Sequence, residues 1–277
     1  MQHERLLDYS YTQITTIPTL PQLLKILRCS DTKIISLPIL PNSLNILDYS
    51  NTQIASLLIL PQSLEELDCF DTRIVSLPSL PRSLKELYCF NTKITTIPDL
   101  PQSLEILDCS DTKIIYLFTL PQSLRELFCH NTKITSLPTL PQSLKTLNCY
   151  NNQIISLPSL PQSLEILSCS NTKITFLPIL LHSLRILNCS HTKISYLPSL
   201  PQSLEMLCCK NCKYLYIPKK SRARRFVKKT EYNINYNYQV LKIQRVYRRF
   251  KQRKFQKLIY NNSNLPTDIC YCISKMI

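Results

Sequence analysis

Sulfur is the most abundant reactive group in this chain of 277 residues, with thirteen cysteines against four histidines and no glycine. Nine of the cysteines (Cys29, Cys69, Cys89, Cys109, Cys129, Cys149, Cys169, Cys189 and Cys209) fall on one 20-residue step, and Tyr49 holds the vacant place. Nine copies at a single spacing suit a core filler better than a nucleophile, because a cysteine thiol packs as a small hydrophobe. That reading goes with a reducing, intracellular compartment. Cys208, Cys209 and Cys212 (CCKNC), with Cys270 and Cys272 near the end, have the outline of a zinc site. Cys209 already belongs to the core column, and a C-x-C is not the second pair of a common finger, so no metal is expected. The histidines, among them His130 and His191, do not share an evident site. Without glycine there is no phosphate-cradling loop, and no Ser-His-Asp cluster can be justified by spacing. The chain therefore reads as non-enzymatic, with no catalytic residue, no cofactor and no small-molecule substrate.

What must position these residues is a repeat. From about Leu7 to Pro218 the pattern L-x-x-L-x-C-x-x-T-x-I-x-x-L-P-x-L-P-x-S returns every 20 residues. Leu24 to Leu204 form one column, Leu27 to Leu207 a second, and Thr12 to Thr192 a third, broken only by Asn152. A fixed period of this size marks a solenoid, whose units cannot bury their apolar face alone. In the unit beginning at Leu104, Leu107 and Cys109 alternate with Ile106 and Asp108, which predicts a short strand. Leu104, Leu107, Cys109, Ile114, Leu117 and Leu120 then face inward. Stacked strands bring each Leu about 4.8 Å from its counterpart.

The pattern resembles a leucine-rich repeat, with Cys where that family often has Leu and Thr where it usually has Asn. The unit length and the doubled L-P-x-L-P look most like the short repeats of secreted bacterial effectors, and like similar arrays coded by giant DNA viruses. The resemblance covers roughly three quarters of the chain. It implies a leucine-rich-repeat solenoid with parallel β-strands on the concave side and an extended, polyproline-like convex side. It implies a protein-binding scaffold as a class of function, because function lives in sites grafted on a fold. Some such effectors carry a ubiquitin-ligase domain, for which the tail here is far too short.

Pro38 and Pro41 exclude helix from the convex half, since each removes a donor and fixes φ. The bend after each strand needs a residue that tolerates positive φ. The column Asp31, Asn51, Asp71, Asn91, Asp111, Asn131, Asn151, Asn171 supplies it in place of glycine. The Thr column beside it is expected to bond loop backbone, less fully than Asn would.

The outward strand positions vary, and the candidate partner-binding residues lie there. Phe70, Tyr88, Phe90, Phe128, His130 and Tyr150 fall within five consecutive repeats, flanked by Glu66, Glu86 and Glu126. Aromatic groups concentrated on an open concave face favour binding a protein. A second stripe, Lys33, Arg73, Lys93, Lys113, Lys133, Lys173, Lys193 and Lys213, is read as a solvated edge offset by the Asp column two residues earlier.

Charge separates the chain into parts. Residues 219–277 hold 16 Lys/Arg against 2 acids, a net +14, whereas residues 1–218 are close to neutral. The expected organisation is a solenoid over 1–218, a basic, Asn/Tyr-rich linker over 219–238, a basic amphipathic helix over 239–260 and a short tail over 261–277. The helix resembles an IQ motif at Ile243, Gln244, Arg248 and Arg253, although Arg249 replaces its Gly and Gln256 its final apolar residue. The resemblance implies a calmodulin-like partner; a basic helix equally suits nucleic acid or an anionic membrane, or covers the last repeat. No signal peptide or membrane-spanning run is expected.

Overall fold

The structure is a computed structural model that describes residues 5–57 and 59–216. The linker, the IQ-like helix and the final tail all lie outside the described residues. The chain divides into two units, Met1–Lys228 and Lys229–Ile277, and the described residues belong to the first.

Eleven three-residue strands follow one another at 20-residue intervals: β1 (Leu6–Asp8), β2 (Ile26–Arg28), β3 (Ile46–Asp48), β4 (Glu66–Asp68), β5 (Glu86–Tyr88), β6 (Ile106–Asp108), β7 (Glu126–Phe128), β8 (Thr146–Asn148), β9 (Ile166–Ser168), β10 (Ile186–Asn188) and β11 (Met206–Cys208). They form one parallel sheet in chain order. The register is the same throughout, with Leu7 opposite Leu27, Leu27 opposite Leu47 and Leu187 opposite Leu207. Between strands the described chain is neither helix nor strand, as the paired prolines require.

The core is a set of stacked columns. Leu104, Leu107, Cys109 and Ile114 are all fully buried, as are their counterparts in most rungs. Each such Leu or Ile contributes about 1.5–3 kcal/mol relative to exposure. Leu117 and Leu120 pack at the rim, 8% and 7% exposed. Tyr49 is the largest fully buried side chain and fits inside the cysteine column.

The turn column behaves as expected, and reaches further than the sequence reading took it. Asp31, Asn51, Asp71, Asn91, Asp111, Asn131, Asn151 and Asn171 all have φ between 51° and 56°, and Tyr11, His191 and Asn211 continue the series. These side chains also bond one another: Asn131 donates to Asp111 at 2.8 Å and Asn171 to Asn151 at 2.7 Å, and Asn51 and Asn91 donate to Asp31 and Asp71. Each Thr hydroxyl donates to the carbonyl three residues earlier, as Thr112 does to Cys109 at 2.7 Å. Asn152 does more. Its amide donates to the Cys149 and Cys129 carbonyls at 3.1 and 2.9 Å, and so ties two rungs.

Two ladders carry no signal that the sequence reading used. The Ser that closes each repeat reaches back one rung: Ser103 Oγ lies 2.7 Å from both the Leu84 and the Arg82 carbonyl oxygens. The residues just before the strands alternate in charge and pair across rungs, Lys85 with Glu65 at 2.7 Å, Arg125 with Glu105 at 3.5 Å and Arg185 with Glu205 at 2.8 Å. The lysine stripe is exposed as expected, but the Asp column does not pair with it. Those acids turn toward their Asn neighbours instead, and the cross-rung ion pairs of the described residues run along this other column.

Candidate protein-binding face

Alternation along each strand sends one residue inward and the next out. Leu67, Leu87 and Leu127 are fully buried, while Glu66, Glu86 and Glu126 beside them are half-buried on the outer face. Asp68, Tyr88, Asp108 and Phe128 are neighbours in register on that face. Phe70, Phe90, His130 and Tyr150 follow two residues on, just beyond the strands.

The geometry gathers these side chains into pairs. Phe70 and Phe90 stack with centroids 4.4 Å apart and planes 9° from parallel. His130 and Tyr150 stack at 4.4 Å and 16°. Offset stacking of this kind adds about 0.5–1.5 kcal/mol beyond area burial. Tyr88 donates its hydroxyl to Glu86 Oε2 at 2.8 Å, and His130 Nε2 lies 3.7 Å from Asp111 Oδ2. The two stacks are kept apart by Ser110, one rung of small polar character, whose hydroxyl and N–H both donate to Asp108 Oδ1 at 2.6 and 3.2 Å. Asp48 and Ser50 make the same arrangement on β3.

The face is less open than the sequence reading had it. Tyr88, Phe128 and His130 are 9%, 6% and 5% exposed, and Phe70, Phe90 and Tyr150 are half-buried. Ile243, Gln244, Arg248 and Arg253 of the IQ-like stretch lie outside the described residues.

The thiol column is chemically quiet. Burial pushes the Cys149 thiol up to about 12, and burial likewise raises Cys29, Cys89, Cys109, Cys129 and Cys169 well above the ordinary value. A neutral buried thiol is a poor nucleophile. Cys212 departs from this: hydrogen bonding from the Cys189 thiol lowers it to about 6, against the opposing effect of burial. Among the described residues no group of three or more His, Cys, Asp or Glu side chains is placed to hold a metal ion. No helix among them is long and apolar enough to cross a membrane.

Stacked strands with a one-rung register, an inward Leu/Ile/Cys core and a polar turn ladder define a leucine-rich-repeat solenoid. A family model described as leucine-rich repeats in two copies matches residues 62–102 and 122–162. Among solved structures, the chain is similar to YopM from Yersinia enterocolitica WA-314, at 31% identity and a TM-score of 0.64, covering 75% of this chain and 52% of that one. It is similar to YopM of Yersinia pestis, a leucine-rich effector protein, at 29% identity and 0.63, covering 74% and 71%. The functional domain of InlJ from Listeria monocytogenes, which includes a cysteine ladder, matches at 25% identity and 0.72, covering 77% and 50%. The chain thus spans about half the length of the Y. enterocolitica and Listeria proteins. A search of curated proteins found no match.

Proposed function

We propose that this protein is a non-enzymatic scaffold that binds a protein partner through the strand face of its repeats. The observation that carries the reading is the clustering of Phe70, Tyr88, Phe90, Phe128, His130 and Tyr150 on five consecutive rungs, four of them stacked in pairs. Flat, preorganised aromatic groups lose little conformational entropy on binding and are the commonest anchors of protein interfaces. Glu66, Glu86 and Glu126 supply the polar surround. Similarity to YopM, an effector protein, favours a partner inside a host cell, in cytoplasm or nucleus.

The test is a capture experiment with full-length protein and a Phe70→Ser/Phe90→Ser variant. Loss of the captured proteins, with thermal melting unchanged, supports the reading. Undiminished capture removes the face from consideration.

A second reading is favoured by the net +14 of residues 219–277. There the basic tail binds nucleic acid, an anionic membrane or a calmodulin-like protein, and the repeats act as a spacer. Phosphate-driven binding falls steeply with salt. Capture that disappears between low and moderate salt, or that requires Ca²⁺, points to the tail.

A further inference from the structure

One break in the columns assembles sulfur. Position 212 belongs to the Thr column, yet a cysteine stands there. Its Sγ lies 3.2 Å from the Cys189 carbonyl oxygen, 3.4 Å from Thr192 Oγ1 and 3.8 Å from the Lys210 carbonyl oxygen. The Cys189 thiol, in the core column one rung back, donates a hydrogen bond to the Cys212 sulfur. Cys212 and Cys209 are half-buried, whereas every other described cysteine is buried. Cys212 is thus in contact with a shielded thiol and is itself within reach of a small solute.

We propose that Cys212 and Cys189 form a peroxide-sensitive dithiol. The Cys212 thiolate attacks one oxygen of hydrogen peroxide; the O–O bond breaks, Cys212 becomes a sulfenic acid, and the departing hydroxide takes a proton to become water. The Cys189 thiol then attacks the sulfenic sulfur, forming the Cys189–Cys212 disulfide and releasing a second water. The two thiols together lose two electrons, and one peroxide is reduced to two waters. The product joins the rung of β11 to that of β10.

The surroundings divide the labour. The Cys189 S–H, the Thr192 hydroxyl and N–H, and His191 favour the thiolate at Cys212, which titrates near 6, although burial opposes them. The Cys189 and Lys210 carbonyls also favour the protonated thiol. The same hydrogen bond, with burial behind it, keeps Cys189 protonated. Cys209 sits three residues away in the same rung, but burial and the neighbouring Cys212 and Cys208 push it up to about 11. At neutral pH one sulfur of the contact pair is therefore nucleophilic and the other is not, as stepwise oxidation requires.

The experiment treats reduced full-length protein with one equivalent of hydrogen peroxide and maps tryptic peptides without reduction. The expected product joins peptide 186–193, which contains Cys189, to peptide 211–213, which contains Cys212. Alkylation of reduced protein at neutral pH should label Cys212 at least about tenfold faster than the column cysteines. Cys212→Thr restores the side chain of the other rungs, so it should fold and form no such product. In Cys189→Ala the oxidation should halt at a sulfenic acid that dimedone traps on Cys212. A bond between Cys212 and Cys209, labelling of Cys212 no faster than of its neighbours, or unchanged oxidation in Cys212→Thr would overturn the assignment.

Discussion

At the scale of the residue, a positive φ without glycine constrains each turn. Asn and Asp tolerate the left-handed region because their short polar side chains bond locally, whereas a β-branched residue there is strained by about 1–2 kcal/mol. Asn171, at φ 51°, also donates to Asn151. Asn171→Val should therefore destabilise the solenoid by about 2 kcal/mol, and Asn171→Gly by less, as read from urea midpoints. Asn152 points the other way. It bonds two rungs where each Thr bonds one carbonyl. Thr112→Asn should gain a bond to the Cys89 carbonyl and raise stability by about 1 kcal/mol. Thermal melting of that single variant checks it; a fall in melting temperature would mean that the Thr column is too tight for the larger amide.

At the scale of the element, a three-residue strand makes few bonds of its own, so each rung depends on what lies beside it. The serine ladder is partly buried and bonds backbone, whereas the Lys–Glu and Arg–Glu pairs are exposed, Lys85 and Glu65 at 51% and 44%. Exposed pairs are worth about 0–1 kcal/mol and are screened by salt. Ser103→Ala should consequently cost about 1 kcal/mol and Glu105→Gln less than half of that, with only the second effect shrinking in high salt. Differential scanning of both variants at two salt concentrations separates them. The strands, inward columns and turns were legible because Leu107, Cys109 and Asp111 must each do the same thing in every rung. The Ser and charge ladders were not: Ser103 reads as an ordinary polar loop residue until the preceding rung is in place. Glu105 and Lys85 are 20 residues apart in sequence, and only stacking brings them together. The aromatic cluster was visible from Phe70 to Tyr150, but its pairing was not, because stacking of His130 on Tyr150 depends on side-chain torsions that no spacing encodes.

At the scale of the whole molecule, one line of thiols links stability to alkali. Thiols ordinarily ionise near 9.0, and the buried column is raised above this, Cys149 to about 12. Between those values the unfolded chain loses protons that the folded chain keeps. Folding is thus fully supported below the ordinary value and loses support as pH rises toward the folded one. Each such thiol lowers stability by about 1.4 kcal/mol per pH unit in that window. The melting temperature should fall steeply above pH 9, and a variant with Cys109 and Cys129 replaced by Ala should show a shallower fall. An equally steep fall in the variant would place the alkaline sensitivity elsewhere.

The uniform register makes the rung a unit of editing. Because Tyr88, Asp108 and Phe128 occupy successive positions of one column, excising residues 103–122 in frame would rejoin the coil without a seam. The excision would set Tyr88 against Phe128 and Phe90 against His130, fusing two aromatic pairs into one continuous stack. Losing a single residue would instead turn every later side chain of that rung to the wrong side. Surfaces of this kind can therefore be rewritten by gain or loss of whole blocks, a coarser step than substitution and a less damaging one.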